Sequence, residues 1–260
     1  MIFNRLKTLA TLTLLLVTSL FYISAAQAEL ADTITKIKPS IVGVGTYTVH
    51  NRPPAQLKGT GFIVADGHYL ITNSHVVPDD LDTEHNEQLV AFIGTGENAD
   101  IRPLVLIGRD RDHDLALLKL EGKPLPTLKI GNSSMVREGE NYAFTGFPIG
   151  AVLGLYPVTH RGIISSITPI VVPQTSARAI SAKMLKQMRD PYRVFQLDAT
   201  AYPGNSGSPM YDPNTGVVIG VINKVFVKES KEAVLDKPSG ISYAIPSRYV
   251  RELLEKHSLK

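Results

Sequence analysis

An all-β fold is predicted by two features of the sequence: short apolar runs recur along it, and turn residues separate them. The 260-residue chain contains 20 glycines and 17 prolines, and many of them lie between these runs. Short runs rich in β-branched and aromatic residues, bounded by such residues, are typical of strands. The predicted strands are Ile41–Val49, Gly61–Val64, Tyr69–Thr72, Leu89–Ile93, Leu104–Ile107, Leu115–Leu120, Tyr142–Phe144, Val194–Leu197, Val217–Phe226 and Ser242–Ile245.

Helix signals are few. The segment Ser247–Lys256 has apolar residues at helical spacing behind a serine, so we expect a capped C-terminal helix there. A weaker pattern predicts a second helix over Ile180–Met188.

The segment Met1–Ala28 has the features of a secretory signal peptide. Arg5 and Lys7 precede a long apolar stretch, and Ala26-Gln27-Ala28 has the small-x-small pattern of a cleavage site. An uncleaved anchor is the alternative, because the stretch approaches membrane-spanning length, but its threonines and serines favour cleavage. We therefore expect residues 29–260 to be exported to a bacterial periplasm or secreted, with no stable membrane anchor.

Charge and cysteine content restrict the function further. Without Arg5 and Lys7, the 27 basic residues fall to 25 against 24 acidic ones, so no nucleic-acid partner is expected. The absence of cysteine excludes disulfides, a cysteine nucleophile and thiolate metal sites. A chain of this length can instead be held together by its hydrophobic core.

Ser206 is a candidate nucleophile, because it lies between glycines shortly after a predicted strand. Glycine permits tight turns and close approach of a substrate carbonyl. The backbone N–H groups from Gly204 through Asn205 to Ser206 could therefore converge on an oxyanion. The motif alone fits an ordinary turn equally well.

The residues that a nucleophilic serine requires lie upstream. His75 follows one predicted strand, and Asp110, Asp112 and Asp114 precede another. A serine hydroxyl needs a neutral imidazole to accept its proton, and the imidazole needs a carboxylate to orient it. We expect Ser206 as nucleophile, His75 as general base and acid, and Asp114 as the orienting carboxylate.

Several motifs together resemble the trypsin-fold serine endopeptidases of the HtrA/Deg type. They occur in that family's order: Gly59-Thr60-Gly61-Phe62-Ile63-Val64, Thr72-Asn73-Ser74-His75-Val76, Asp114-Leu115-Ala116-Leu117-Leu118-Lys119, Gly146-Phe147-Pro148-Ile149-Gly150, Gly204-Asn205-Ser206-Gly207 and Tyr243-Ala244-Ile245-Pro246-Ser247.

The resemblance implies two packed antiparallel six-stranded β-barrels with a C-terminal helix. The N-terminal barrel would cover about 29–135 and the C-terminal barrel about 136–260, with the active site between them. The implied reaction is peptide-bond hydrolysis in protein or peptide substrates, through an acyl-enzyme intermediate and without a cofactor or metal. Relatives often add a peptide-binding PDZ domain, and here we expect the protease domain alone.

The choice of acid has competing interpretations. Asp114 directly precedes an apolar run, where the resembled family places its triad acid. As an alternative, Asp110, Asp112, Asp114 and Glu121 have the spacing of an EF-hand calcium loop. Such a loop needs glycine at its sixth position, where this chain has Leu115, so we expect no metal site.

Substrate specificity is predicted from the resembled fold. Thr200, with Ala201 and Tyr202 after it, lies six residues before Ser206 and would be near the floor of the primary pocket. No carboxylate is present there, which favours a small or medium apolar side chain. His160 indicates an acidic side chain as the alternative, because glutamate-specific relatives use a histidine in a similar place.

Extended substrate is expected to pair with the segment Val221, Ile222 and Asn223 as an added strand, which favours unfolded or flexible protein segments. The segment Pro173–Tyr192, with Arg178, Lys183, Lys186 and Arg189, is interpreted as a solvated basic loop, with an effector site as the alternative.

An esterase and a binding protein are the two alternative function classes. An α/β-hydrolase esterase would need the order serine, acid, histidine, and only His257 follows Ser206. A protease-fold binding or chaperone-like protein with low turnover is compatible with the same residues. Oligomeric state is left open by the sequence.

Overall fold

The computed structural model describes residues 30–96, 99–148, 154–169, 192–223 and 240–259. The predictions for the leader Met1–Ala28 and the helix Ile180–Met188 lie outside these residues. So does the segment Pro173–Tyr192, apart from Tyr192 itself.

Within the described residues, twelve strands form two closed antiparallel barrels, which confirms the predicted fold class. The first barrel has the order β1-β2-β3-β6-β5-β4, and the second has the order β10-β11-β12-β9-β8-β7. The strands are β1 Ile41–Tyr47, β2 Ala55–Val64, β3 Tyr69–Asn73, β4 Gln88–Ile93, β5 Asp100–Asp110, β6 Leu115–Leu120, β7 Asn141–Gly146, β8 Val158–Pro169, β9 Arg193–Asp198, β10 Pro209–Tyr211, β11 Val218–Asn223 and β12 Ile241–Pro246.

Helices lie at both ends of the described chain. Residues 30–37 are helical (α1), and α2 covers Ser247–Lys256, the bounds predicted from the sequence. Ser247 does not cap α2 as expected. The N-cap is Pro246, and the Ser247 hydroxyl donates to the Gly131 carbonyl at 2.8 Å. None of the helices among the described residues is long and apolar enough to cross a membrane.

Strand β6 shows why its sequence is apolar without alternation. Leu115 and Leu117 belong to the apolar cluster between the barrels. Ala116 and Leu118, which point the opposite way, pack inside the first barrel. Successive side chains on a strand point to opposite faces, and here both faces are buried.

The two barrels share one apolar interface. Phe62 and Leu117 from the first barrel, Tyr211 and Val221 from the second, and Tyr249 from α2 belong to a single buried cluster. Truncating a buried aromatic residue costs about 3–5 kcal/mol. Burial of this kind fixes the barrels relative to each other, and residues at their junction are held in place as a result.

Two strands were missing from the prediction, and both lack a clear apolar run. Strand β8 has only Ile164 fully buried, and most of its other residues are polar or partly exposed. Strand β10 spans three residues. Their positions follow from pairing with neighbouring strands, which no local pattern reveals.

Candidate active site

His75 lies in a 3-10 turn, Ser74–Val76, directly after β3. Asn73 before the turn is fully buried, and Val76 packs in the core of the first barrel. Because its neighbours are buried, the turn is anchored to the barrel. The His75 side chain itself keeps 31% of its surface exposed, so a substrate can reach the imidazole.

The carboxylate of Asp114 binds both the ring and the backbone of His75. Its Oδ2 lies 2.6 Å from His75 Nδ1, and its Oδ1 accepts the His75 N–H at 2.9 Å. A carboxylate is an acceptor, so this geometry places the imidazole proton on Nδ1. The other ring nitrogen, Nε2, is then the one that can accept a proton.

The backbone of Asp114 also contributes to this arrangement. Its carbonyl accepts hydrogen bonds from Ser74 N and from Asn73 Nδ2, both at 3.0 Å. Its φ of +52° is in the left-handed region, which aspartate tolerates better than most residues. This conformation turns the Asp114 carboxylate towards His75 just before β6 begins.

Asp110 has a different partner, His113. Its Oδ2 lies 2.6 Å from His113 Nδ1, and its Oδ1 accepts the His113 N–H. Burial raises the pKa of Asp110, but the hydrogen bonds from His113 and Asp112 and the charge of His113 together outweigh burial, and the net shift is downward. Asp110 and Asp114 therefore serve different histidines, which does not fit a shared calcium site. No group of three or more His, Asp or Glu residues within the described ranges could hold a metal ion.

Ser206 lies in the loop between β9 and β10, flanked by two glycines in left-handed conformations. Gly204 has φ +98° and Gly207 has φ +88°. A Cβ atom on Gly207 would lie 2.0 Å from the Thr60 carbonyl oxygen and 2.4 Å from Thr72 Oγ1. This position therefore needs glycine for its backbone conformation and for space.

The N–H groups of this loop divide into two sets. Asn205 N–H donates to the Tyr202 carbonyl at 3.0 Å and closes a turn, so the prediction that it binds an oxyanion does not hold. The N–H groups of Gly207 and Ser208 are also used within the protein. Within the described residues, the backbone N–H groups of Gly204 and Ser206 donate to no acceptor.

The serine loop docks on β2 of the first barrel. Thr60 N–H donates to the Ser206 carbonyl at 2.8 Å, and the Thr60 hydroxyl donates to the Gly204 carbonyl at 2.7 Å. A Cβ on Gly59 would lie 2.6 Å from a Val76 methyl and 2.8 Å from Ser206 O. The serine loop and Val76, the residue after His75, thus both pack closely against Gly59.

Asn223, at the end of β11, connects the second barrel to the acid of the first. It is fully buried, and its Nδ2 donates to Asp114 Oδ2 at 2.7 Å. The same carboxylate oxygen contacts His75 Nδ1. Asn223 was predicted from the sequence to pair with substrate. Its side chain has a separate role, which is to orient the Asp114 carboxylate.

The remaining substrate residues on β11 are not available for pairing. Strand β11 has β10 on one side and β12 on the other, and Val221 pairs with Pro209 and Ile245. Ile222 donates to Ser208 O and accepts from Gly207 N, both at 2.9 Å. The prediction that Val221 and Ile222 bind an extended substrate is therefore wrong, because a closed barrel already uses their backbone groups.

The residues predicted for the primary pocket lie together before the serine loop. Ala201 is buried in the core of the second barrel, and its N–H donates to the Ser242 hydroxyl at 2.8 Å. Thr200 and Tyr202 beside it are partly buried. Ala201 is thus part of the core of the second barrel, and its two neighbours are partly accessible.

His160, on β8, lies close to this segment. Its ring stacks on Phe144 at 4.9 Å and is 6.1 Å from the ring of Tyr202. Burial lowers the pKa of His160, and its buried Nε2 has no hydrogen-bond partner among the described residues. A neutral, partly buried imidazole is the form that these surroundings favour.

Several residues that shape the site were not predicted from the sequence. Thr60 holds the serine loop, Thr72 donates to the Thr60 carbonyl at 2.7 Å, and Asn73 holds the Asp114 backbone. All three belong to motifs that carried the family resemblance, which was the signal that could have identified them. Arg109 is a fourth residue that shapes the site, and it lies outside those motifs.

Two closed antiparallel barrels, with His75 bonded to Asp114 and with the Ser206 loop docked on the first barrel, define a trypsin-like fold. Residues 59–221 match the family described as the trypsin-like peptidase domain. This chain belongs to that family.

Two similar proteins support the resemblance to the HtrA/Deg type. The chain is 32% identical over 193 residues to a Pseudomonas putida protein named "Probable periplasmic serine endoprotease DegP-like", which covers 74% of this chain and 33% of that protein. It is 31% identical over 232 residues to zebrafish (Danio rerio) "Serine protease HTRA1B", covering 88% of this chain and 41% of the relative. The chain therefore spans well under half the length of these relatives.

Solved structures agree with this assignment. The HtrA-type protease AlgW, determined with a tripeptide, has a TM-score of 0.61 and 25% identity over 87% of this chain and 62% of its own. A serine endoprotease from Yersinia pestis has a TM-score of 0.60 and 26% identity, covering 87% and 65%. The predicted resemblance to HtrA/Deg-type proteases is confirmed.

Proposed function

We propose that this chain is a serine endopeptidase that hydrolyses peptide bonds through an acyl-enzyme intermediate. The observation that carries the proposal is the short bond between His75 Nδ1 and Asp114 Oδ2, at 2.6 Å, next to the docked loop of Ser206. Bonding to Asp114 leaves Nε2 of His75 as the base. The family match and the protease names of the relatives support the same activity.

Each residue has a defined step in this reaction. Ser206 Oγ attacks the scissile carbonyl while His75 Nε2 takes its proton, and the same nitrogen then protonates the leaving amine. Asp114 stabilises the imidazolium that forms. The N–H groups of Gly204 and Ser206, which have no acceptor among the described residues, would bind the tetrahedral oxyanion.

The substrates we propose are protein or peptide segments that are unfolded or flexible, because an extended backbone fits a cleft between two barrels better than a folded surface does. A small or medium apolar side chain near Thr200 and Tyr202 remains our proposal for the primary pocket. We also propose a periplasmic or secreted location, by analogy with the relatives named as periplasmic.

Hydrolysis of an unfolded protein such as reduced, alkylated lactalbumin tests the proposal. We expect Ser206→Ala to abolish cleavage. Ser208→Ala is a matched control, because Ser208 lies in the same loop and its buried hydroxyl has no partner among the described residues. Cleavage that persists in Ser206→Ala would contradict the mechanism, and an inactive wild type that binds the unfolded protein would favour the binding-protein alternative.

A further inference from the structure

Arg109 reaches from the end of β5 to the backbone on both sides of His75. Its Nη1 donates to the Ser74 carbonyl at 3.2 Å, and its Nη2 donates to the Pro78 carbonyl. Nη1 also lies 3.1 Å from Asp79 Oδ1. The Arg109 side chain is only 12% exposed, so the guanidinium has little freedom to leave this position.

These contacts complement those of Asp114. Asp114 accepts hydrogen bonds from the N–H groups of Ser74 and His75. Arg109 donates to carbonyl groups of the same segment, one before His75 and one after it. A planar guanidinium can bridge two acceptors at once, which the single ammonium of lysine does less well. The turn is therefore held through its donors by Asp114 and through its acceptors by Arg109.

The surroundings of the turn explain why it needs the hydrogen bonds from Arg109 in addition to those with Asp114. An open cavity of about 460 Å³ borders His75, Asp79, Arg109 and Arg111. On that side the turn borders open space, whereas Val76 packs inside the barrel. Hydrogen bonds from Arg109 supply the support that packing supplies elsewhere.

Arg111 provides a comparison within the same network. It binds Asp79 with its Nη2 2.8 Å from Oδ1, and its hydrogen bonds lower the pKa of Asp79. Its side chain is 61% exposed. Among the described residues its hydrogen bonds go to Asp79 alone, so it touches neither carbonyl beside His75.

We propose that Arg109 is a positioning residue that fixes the imidazole of His75 for proton transfer by clamping the carbonyls of Ser74 and Pro78. The inference rests on the proposed peptidase function. Arg109 does not contact the reacting atoms. Its removal therefore affects the orientation of His75 and leaves substrate affinity largely unchanged.

The test compares Arg109→Met with Arg111→Met in steady-state hydrolysis of a peptide substrate. We expect Arg109→Met to lower kcat roughly 10- to 100-fold, because a displacement of about 1 Å in a catalytic group has that effect. KM should change by less than about threefold, since no substrate contact is lost. Arg111→Met should keep the wild-type kcat. Arg109→Lys should recover only part of the loss.

A second readout does not depend on turnover. The proton on His75 Nδ1, in its short bond to Asp114, should give a low-field resonance in the proton NMR spectrum, assigned by its loss in His75→Gln. We expect that resonance to broaden or shift in Arg109→Met and to stay unchanged in Arg111→Met. If Arg109→Met fails to fold, Arg109→Lys carries the same comparison, because lysine keeps the charge and most of the stem.

The possible outcomes test two things separately: the clamp, which is the hold of Arg109 on the Ser74 and Pro78 carbonyls, and the proposed peptidase function. An active wild type with unchanged kcat and an unchanged resonance in Arg109→Met would overturn the clamp. A rise in KM alone would also overturn it, because it would indicate a substrate contact. A wild type that hydrolyses nothing would refute the peptidase proposal, while the resonance would still decide whether Arg109 orients His75.

Discussion

Asn223 donates its side-chain amide to Asp114 Oδ2 at 2.7 Å, across the junction between the two barrels. The acid belongs to the first barrel, and its donor belongs to the second. Asp114 Oδ2 therefore has a donor from each barrel, His75 and Asn223. The orientation of His75 depends on how the barrels pack together as well as on its own turn.

Replacing Asn223 should weaken both activity and stability. Asn223→Ala removes a buried donor from a carboxylate, which costs about 1–3 kcal/mol in the free energy of unfolding. We expect kcat to fall about tenfold, because the carboxylate that orients His75 loses one of its two side-chain donors; a factor of ten in rate corresponds to about 1.4 kcal/mol of activation free energy. Denaturant unfolding and peptide hydrolysis measure the two effects. The exposed Asn214, replaced by Ala, is the control, and equal behaviour of the two variants would contradict the prediction.

The choice of acid predicts a difference between Asp114→Asn and Asp110→Asn. Asp114→Asn should lower kcat by roughly 10³- to 10⁴-fold, because the amide no longer fixes the tautomer of His75. Asp110→Asn should have a much smaller effect on kcat, since Asp110 binds His113. Comparable losses of kcat in the two variants would show that the acid has been assigned incorrectly.

Gly207 should tolerate no side chain. Gly207→Ala places a methyl group 2.0 Å from the Thr60 carbonyl oxygen at a φ of +88°. We expect a loss of about 3 kcal/mol or more in the free energy of unfolding, from backbone strain and overpacking together. Gly139→Ala is the control, because its φ is +86° and nothing lies within 4 Å of its Cβ position. It should lose only about 1–2 kcal/mol.

Chemical denaturation of the two glycine variants measures this difference. A similar loss in both would mean that the serine loop can move away from Thr60. The close docking of Ser206 on β2 would then be unimportant for stability.

His160 should make the stability of the protein depend on pH in the weakly acidic range. Burial lowers its pKa from the usual value of 6.5. As the pH falls below about 6.5, the unfolded chain takes up a proton before the folded protein does, and stability decreases. Asp110, whose pKa is lowered from 3.8, acts in a more acidic range and in the same direction.

Unfolding free energies of the wild type and His160→Phe, measured between pH 7.5 and 5, test this prediction. Phenylalanine keeps a ring against Phe144 but cannot titrate. We expect the wild type to lose stability more steeply than His160→Phe as the pH falls. Parallel curves would show that His160 is not desolvated in the folded protein.

The sequence predicted what local patterns determine. The bounds of α2 followed from helical periodicity, and strands β3 and β6 followed from short apolar runs bounded by turn residues. The motif around His75, together with the one that begins at Asp114, predicted the pair that is hydrogen-bonded in the structure. The roles of Asn223 and Arg109 could not be predicted, because each acts on a partner that only the folded chain brings close. Asn223 lies far along the chain from Asp114, and Arg109 reaches Ser74 from another strand.

The main error of the sequence prediction was to assign Val221 and Ile222 to substrate binding, and closure of the second barrel explains it. Val221 and Ile222 have the composition of a strand that could accept a substrate, and nothing local shows that both of their edges are occupied. The three residues of β10 complete the second barrel at that place. A run this short has no periodicity to detect, so the occupied edge was not foreseen.

Covalent labelling shows whether Ser206 is the activated nucleophile of this chain. The purified chain, treated with a fluorophosphonate and digested for mass spectrometry, should carry the label on the peptide that contains Ser206. Ser206→Ala should remain unlabelled, and His75→Gln should react far more slowly. Labelling at another residue, or none in a folded wild type that shows the low-field proton of His75, would contradict the assignment of Ser206 as an activated nucleophile.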